Sequence, residues 1–128
     1  MQIRDATEAD ADELASKTGA PRDVMRNLVH DRTVRVAATD DTVKGFVSFD
    51  ARRDTVHITQ LEGTEDICEE LLDEPIRFAH KEGMAVELLV PATDSQTKEA
   101  VENSAFERDG NGPTFEGTKT LRYRLDPT

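Results

Sequence analysis

Two periods of apolar residues run along the chain and predict its secondary structure. Alternation of apolar and polar residues predicts strands at residues 2–5, 33–39, 43–49 and 55–61, and their short links favour an antiparallel meander. Helical spacing predicts two helices between the first two strands. The first follows a capping pattern at residues 7–10 and ends at Gly19, and the second carries Pro21 in its first turn. The inward side of that second helix is expected to hold Val24, Met25, Leu28 and Val29.

After Gly63 the apolar period becomes helical and stays so until Gly83. Pro75 lacks a backbone N–H, so the helix either kinks there or stops near Asp73 and restarts. Its apolar face is expected to contain Ile67, Cys68, Leu71, Leu72, Ile76, Phe78 and Ala79. Residues 84–90 are apolar except for Glu87, which predicts a central strand. The strand–helix–strand unit at residues 55–90 should therefore be a parallel, right-handed crossover.

The last third of the chain predicts one more helix and two more strands. Asp94 is placed to cap a helix that runs to about Ser104, Phe106 starts a strand, and residues 117–125 form the final strand. The order β-α-α-β-β-β-α-β-α-β-β indicates an α+β fold. We expect a single mixed β-sheet of about six to seven strands, flanked by about four helices, in one domain spanning residues 1–128.

Charge narrows the range of partners. The 128 residues include 27 acidic and 16 basic side chains, for a net charge of -11 and a pI near 4.6. This balance argues against nucleic acid and against anionic membranes, since both bind clustered Lys and Arg. The first residues do not resemble a signal peptide and no apolar run reaches about 20 residues, so we expect a soluble, cytoplasmic protein. An acidic, lysine-poor surface is similar to that of proteins from halophilic archaea.

Three stretches of the chain resemble the GNAT N-acetyltransferase superfamily. They are MQIRDATEADADELA, VAATDDTVKGFVSF with Gly45, and ELLVPATDSQTKEAVENSAFERDG. In the third, Asp94 stands at the usual Asn position, Thr97 at the usual Ala, and Phe106 at the usual Phe. The resemblance implies a GNAT-like fold in which the fourth and fifth strands separate to admit acetyl-CoA. It also implies acetyl transfer to a small-molecule or protein amine.

In the resembled family, a loop of the form Arg/Gln-x-x-Gly-x-Gly/Ala binds the pyrophosphate of the cofactor through backbone N–H groups at a helix N-terminus. An ungapped placement puts residues 63–68 on this loop, with Gly63, Asp66 and Cys68 in place of the expected types. The motif is therefore degenerate, and carboxylates surround it. The residues that the resemblance assigns to acetyl-CoA are Ile58, Thr59, Gln60, Gly63, Thr64, Asp66, Ile67 and Cys68. The amides of residues 58–60 would orient the acetyl carbonyl, and those of residues 66–68 would hold the pyrophosphate.

The acid–base groups of the family are also altered. Many members carry a tyrosine in the fourth helix that protonates the leaving thiolate, and the matching residue here is Val101. Tyr123 is expected in the core or at a sheet edge instead. For the general base, the nearest candidates are His57 and Glu62. Cys68 lies on an apolar helix face, which favours a buried structural thiol over a nucleophile, and the His and Cys spacings match no metal site.

Two functions remain open at this point. The first is an acetyl-CoA-dependent N-acetyltransferase with a weakened cofactor loop. The second is a non-catalytic GNAT-like domain that binds a protein or a small metabolite. An unrelated α+β fold with the same order of elements is a third reading, and a homodimer stays open in each case. Stabilisation by acetyl-CoA would separate the first function from the second.

Overall fold

A computed structural model describes residues 1–127 as a seven-stranded sheet with four α-helices. The strands are β1 (Gln2–Asp5), β2 (Thr33–Thr39), β3 (Thr42–Arg52), β4 (Thr55–Glu62), β5 (Ala85–Pro91), β6 (Glu107–Asn111) and β7 (Thr120–Leu125). The helices are α1 (Ala11–Thr18), α2 (Arg22–Asp31), α3 (Glu65–Glu82) and α4 (Ser95–Glu102), and a 3-10 turn, Glu8–Asp10, precedes α1. None of these helices is both long enough and apolar enough to span a membrane.

The order of the strands across the sheet is β1-β2-β3-β4-β5-β7-β6. Only β4 and β5 pair in parallel, through the crossover helix α3, and all other neighbours are antiparallel. The predicted meander, the parallel crossover and the α+β fold class are confirmed.

The two faces of the sheet are covered by different helices. On one face, α3 and α4 pack over a large apolar cluster that includes Val47, Ile58 and Leu88. On the other, α1 and α2 pack over a smaller cluster that includes Val36 and Phe46. Because the smaller cluster lies on β2 and β3, side chains that β4 and β5 direct to this second face are not buried beneath it. This uneven coverage creates room for a site.

Several predicted details are corrected by the structure. Of the two alternatives at Pro75, the stop near Asp73 is wrong, because α3 runs through Pro75, whose buried ring packs beside buried neighbours in the helix. β3 extends to Arg52, past the predicted strand end at residue 49, so the turn before β4 is confined to Arg53 and Asp54. Val24 and Phe78 were expected to face inward, but they are 50% and 41% exposed. The final strand begins at Thr120 rather than at residue 117, because Phe115 and Thr118 exchange two backbone hydrogen bonds in a tight turn.

Candidate active site

β4 and β5 separate half-way along their length. Their parallel pairing runs from Thr55–Ala85 to Ile58–Leu88 and then stops, although β4 continues to Glu62 and β5 to Pro91. We call this last pair, Ile58 and Leu88, the apex. Beyond it, none of the described strands pairs with the edge of β4 that faces β5. The backbone groups along that edge are therefore free to bind a ligand.

A β-bulge in β4 accompanies this separation. Ser48 pairs with Gln60 and Phe49 with Ile58, which leaves Thr59 as an extra residue. The Thr59 hydroxyl lies 2.5 Å from the Ser48 hydroxyl and 3.2 Å from the Ser48 carbonyl oxygen, and these contacts fix the bulge. Because bulges bend and twist their strand, Thr59 explains why β4 turns away from β5 at this point.

A cleft of about 530 Å³ fills the gap between the two strands. It brings together His57, Ile58, Thr59, Gln60 and Glu62 of the predicted site residues. Leu61 completes the wall that β4 forms. The other walls belong to β5, the start of α4, and the region at the start of β7. Their residues are Glu87, Leu88, Leu89, Pro91, Asp94, Thr97, Phe115 and Thr120. The other predicted residues do not line this cleft: Gly63, Thr64, Asp66, Ile67 and Cys68. They follow Glu62 in the loop and first turns of α3, and we call this region the helix end.

Two glycines shape the helix end. Gly45 in β3 lies against the end of β4, where a Cβ atom would clash with the carbonyl oxygen of Glu62 and lie 2.8 Å from Cγ2 of Ile67. Gly63 has a φ of 143°, and a Cβ atom there would lie 2.9 Å from the same Ile67 methyl group. The two glycines therefore let the loop before α3 pack directly on β3.

The first turn of α3 carries unused backbone donors, as the start of any helix does. Within residues 1–127, the N–H groups of Glu65, Asp66 and Ile67 have no hydrogen-bond acceptor. The Cys68 N–H already donates to the carbonyl oxygen of Thr64 at 2.9 Å. The helix itself therefore uses the Cys68 N–H, which leaves the N–H groups of Glu65, Asp66 and Ile67 as the free donors of this turn.

The side chains at the helix end are acidic or buried. Burial raises the pKa of the half-buried Glu62, the nearby Asp94 carboxylate raises it further, and Lys17 partly offsets this. Burial also raises the pKa of the Cys68 thiol to about 12, so it stays protonated, and its Sγ lies 3.5 Å from the Gly63 carbonyl oxygen. Cys68 is therefore a structural thiol. Among the described residues, no group of three His, Cys, Asp or Glu side chains is arranged to hold a metal ion.

At the apex, charged groups of both signs face the open side of the sheet. His57 and Glu87 are register partners on β4 and β5, and both are half-buried. Glu87 Oε2 accepts a hydrogen bond from Arg124 at 3.2 Å, and Glu87 Oε1 lies 3.9 Å from Nε of Arg122. Two side-chain atoms in the described chain are buried without a hydrogen-bond partner, Gln60 Oε1 and Arg122 Nε. The apex thus brings an imidazole and a carboxylate close to polar atoms that lack a hydrogen-bond partner.

Tyr123 occupies the other face of the sheet. It pairs with Leu88 in register and is 1% exposed, and its hydroxyl donates a 2.5 Å hydrogen bond to Glu102. Burial, followed by the hydrogen bond to Glu102, raises its pKa to about 12. The neighbouring Val101 is fully buried. Neither residue presents an acidic proton to the cleft.

The sequence interpretation missed Glu87 and the side chain of Gln60 as members of the site. Glu87 had a visible signal, because it is the one charged residue in an apolar central strand. Gln60 had a weaker one: the apolar positions Val56 and Ile58 are followed by Leu61, and this step of three residues indicates a bulge.

No protein-family model matches the chain, and no curated protein matches it. Among solved structures, it is similar to a ribosomal-protein-alanine N-acetyltransferase from Brucella melitensis, with a TM-score of 0.81 at 18% identity over 98% of this chain and 99% of that one. It is also similar to yncA from Salmonella typhimurium, solved with its cofactor acetyl-CoA (TM-score 0.84, 15% identity, 100% and 94% coverage). A third similar structure is NAA60 from Arabidopsis thaliana in complex with a bisubstrate analogue. Its TM-score is 0.77 at 15% identity, over 97% of this chain and 96% of that one.

The chain has the GNAT fold. At these identities the likeness is one of fold, and it spans nearly the full length of each chain. The expected architecture of the family, including the separation of the fourth and fifth strands, is therefore confirmed.

Proposed function

We propose that the protein is an acetyl-CoA-dependent N-acetyltransferase of the GNAT type. The observation that carries the proposal is the gap between β4 and β5 beyond Ile58 and Leu88. Past this gap β4 leads into the loop before α3, whose first turn has unused N–H groups. A narrow, extended ligand fits a cleft of about 530 Å³ between two free strand edges. Acetyl-CoA supplies an activated acetyl group as a thioester, and yncA, which shares the fold, was solved with that cofactor.

Different residues of this chain bind the two parts of the cofactor, the pyrophosphate and the acetyl group. The amides of Glu65, Asp66 and Ile67 bind the pyrophosphate, because a helix N-terminus combines free donors with partial positive charge. Backbone amides of Ile58, Thr59 and Gln60, where β4 separates from β5, orient the acetyl carbonyl. In this proposal the amide of Glu65 takes the role that the sequence assigned to the Cys68 amide, and the amides of Asp66 and Ile67 keep their predicted role.

We assign the general base to His57. His57 adjoins the apex, where the acetyl group would lie. Glu62 lies four residues beyond Ile58 on β4, about 13 Å from the apex at the usual rise of a strand. His57 would take the proton as the amine attacks, and general-base assistance of this kind is worth about 10²–10⁴ in rate. Glu62, at the helix end, would instead adjoin the pyrophosphate side of the cofactor.

The carboxylates at the helix end favour the alternative, a GNAT-fold protein that binds a protein or metabolite and no longer carries out the reaction. A carboxylate that faces a phosphate costs on the order of 1–4 kcal/mol at a surface-like dielectric. We further propose that the protein works in concentrated salt, in the cytoplasm of a halophilic archaeon, because molar salt shortens electrostatic interactions to about 3 Å and weakens this repulsion.

Thermal unfolding in molar KCl, with and without acetyl-CoA, tests the proposal. A ligand at 100 times its dissociation constant stabilises the folded state by about 2.7 kcal/mol, which corresponds to roughly 10 °C for a domain of this size. We expect a rise of this kind with acetyl-CoA and a smaller one with CoA. If neither ligand raises the unfolding temperature at millimolar concentration, the enzyme is excluded and the non-catalytic alternative takes its place.

A matched pair of variants locates the binding site. Glu65→Pro removes one free N–H at the first position of α3, where proline is well tolerated, and the preceding Thr64 already has the extended conformation that proline requires. Glu65→Ala removes the same charge and keeps the N–H. We expect the proline variant to bind acetyl-CoA about tenfold more weakly than the alanine variant, with similar unfolding temperatures without ligand. Equal affinities would contradict the assignment.

A further inference from the structure

A second cleft of about 420 Å³ lies on the α1/α2 face of the sheet, between α2 and the strands β3 and β4. Its apolar wall is formed by Val24, Met25 and Leu28 of α2, and its polar wall by Asn27, Asp31, Arg32, Asp50, Arg52 and Gln60. Gln60 also lines the cleft between β4 and β5. Gln60 is the one residue that the two linings share, so an acceptor bound in the second cleft would reach the apex past this side chain.

The side chain of Gln60, which lies between the two clefts, has an acceptor atom without a hydrogen bond. Its Oε1 atom is buried and has no hydrogen-bond donor within residues 1–127. Leaving a buried acceptor unpaired costs about 1–3 kcal/mol, so such groups usually have a partner or await one. An amine that approaches an acyl group at the apex brings N–H donors to this position.

At the end of the second cleft away from Gln60, two arginine side chains lie near the same aspartate oxygen. Arg32 Nη1 bonds to Oδ2 of Asp50 at 2.8 Å, and Arg52 Nε lies 3.7 Å from the same oxygen. The Arg52 side chain is 72% exposed, so its donors are accessible to a ligand. Asp31 lies in the same cleft, so the two arginines are balanced by two carboxylates, those of Asp31 and Asp50. Arg52, the more exposed of the two arginines, is therefore the cation that can bind a single carboxylate of a ligand.

The spacing of these groups sets the length of the ligand. Gln60 pairs with Ser48 of β3, and Arg52 lies four residues further along the same strand. Four residues of a strand span about 13 Å, and the Gln and Arg side chains cover part of that distance. An amine and a carboxylate separated by several carbon atoms would bridge the remainder. An α-amino acid, reacting at its α-amine, would be too short.

We propose that the acetyl acceptor is a small ω-amino acid, which binds in the second cleft. Its amine donates to Gln60 Oε1, its methylene groups contact Met25 and Leu28, and its carboxylate binds Arg52 with support from Arg32. This inference rests on the proposed acetyl transfer. In that reaction the amine nitrogen forms a bond to the thioester carbonyl carbon and the carbon–sulfur bond breaks. The amine proton leaves through His57, and the products are the N-acetylated amine and the free thiol of CoA.

A matched pair of amines tests the proposal. 6-Aminohexanoate and hexylamine share one carbon chain and differ in the carboxylate, and thiol release from acetyl-CoA measures their acetylation. We expect kcat/KM to be at least about tenfold higher for 6-aminohexanoate, a difference equivalent to about 1.4 kcal/mol. Arg52→Gln should remove this preference by raising KM for 6-aminohexanoate only. Arg53→Gln, in the exposed turn beside it, is the matched control and should change neither substrate.

Binding without the cofactor separates failure of this inference from failure of the proposed function. 6-Aminohexanoate alone should raise the unfolding temperature of the native protein and of Arg53→Gln, but not that of Arg52→Gln. If acetyl-CoA is used and hexylamine or glycine reacts as well as 6-aminohexanoate, the acceptor assignment is wrong while acetyl transfer stands. If acetyl-CoA does not bind, a shift with 6-aminohexanoate that Arg52→Gln abolishes still supports the cleft, and its absence overturns it.

Discussion

The two ends of the gap between β4 and β5 are built in different ways. At the helix end, backbone geometry is tightly specified by Gly45 and Gly63, while the side chains that influence Glu62 are the carboxylate of Asp94 and the more weakly acting Lys17. At the apex, His57, Glu87 and Gln60 present side-chain chemistry, and Gln60 Oε1 lacks a partner.

This contrast separates two requirements of acyl transfer. Binding a pyrophosphate at a helix N-terminus depends mainly on main-chain N–H groups, which any sequence supplies provided that the loop can adopt its shape. Selecting and deprotonating an amine depends on particular side chains. On the proposed function, cofactor binding at the helix end would tolerate the loss of the glycine pattern that the sequence resemblance implies. The reaction at the apex would not tolerate the loss of its polar side chains.

The largest expected effect comes from removing the base at the apex. His57→Gln keeps a polar side chain of similar size but cannot accept the proton, so kcat should fall by about 10²–10³. Steady-state kinetics at saturating acetyl-CoA measure this, with His80→Gln on α3 as the control.

The same measurement on Glu62→Gln decides which end holds the base. If Glu62→Gln lowers kcat and His57→Gln leaves it within about threefold of the native value, the assignments of the two residues must be exchanged.

A second test breaks the backbone geometry of the helix end. Gly45→Ala would normally favour a strand, but the added methyl group meets the Glu62 carbonyl oxygen and the Ile67 side chain. Forcing an atom into a packed site typically costs about 1–3 kcal/mol. We therefore expect a lower unfolding temperature and weaker acetyl-CoA binding, because the first turn of α3 must shift.

Lys44→Ala, at the exposed neighbouring position of β3, is the control for that test and should stay within about 0.5 kcal/mol of the native protein. An unchanged unfolding temperature for Gly45→Ala would show that the loop adapts, and that the close approach of the two glycines is not required.

The sequence predicts the order of the elements but not every feature of the site. Period-two and helical patterns determined the order of elements, and the parallel crossover follows from strand, helix and strand in succession. The continuity of α3 through Pro75 did not follow, because tertiary packing around the proline decides it. The partners of Glu87, on β7, and the unpaired oxygen of Gln60 depend on strand neighbours and on the bulge, neither of which a local pattern specifies.

A third test, with a smaller expected effect, asks whether Tyr123, on the face of the sheet covered by α3 and α4, acts as an acid at the apex. Tyr123→Phe removes the hydrogen bond to the exposed Glu102, which should cost about 1 kcal/mol of stability and leave kcat within about twofold. Because the folded state raises the pKa of Tyr123 to about 12, the stability it contributes is complete below about pH 10 and is lost as the pH rises towards 12.

Tyr123 is the only tyrosine and the chain has no tryptophan, so the ultraviolet absorbance of tyrosinate follows this group alone. A titration midpoint near the ordinary value of about 10 in the folded protein would contradict the buried hydrogen bond. A large loss of kcat in Tyr123→Phe would give Tyr123 the role of general acid.

The smallest effect concerns the sign of charge at the helix end. The folded state raises the pKa of Glu62, so its ionised form is disfavoured by burial and by Asp94. Glu62→Gln should therefore stabilise the protein at neutral pH, by about 0.5 kcal/mol after solvent screening, and should tighten acetyl-CoA binding slightly. The difference should vanish as the pH falls below the ordinary pKa of a glutamate, where the native side chain is also neutral.

Glu65→Gln removes an equal charge two residues past Gly63, yet the opposite sign is expected. Glu65 lies in the first turn of α3 and complements the helix dipole, a favourable interaction worth about 0.3–1 kcal/mol at low salt. Denaturant unfolding of both variants, from acidic to neutral pH, measures the two signs together. If both variants lose stability, burial does not penalise Glu62, and the acidic residues at the helix end act alike as helix-capping charges rather than as an obstacle to the cofactor.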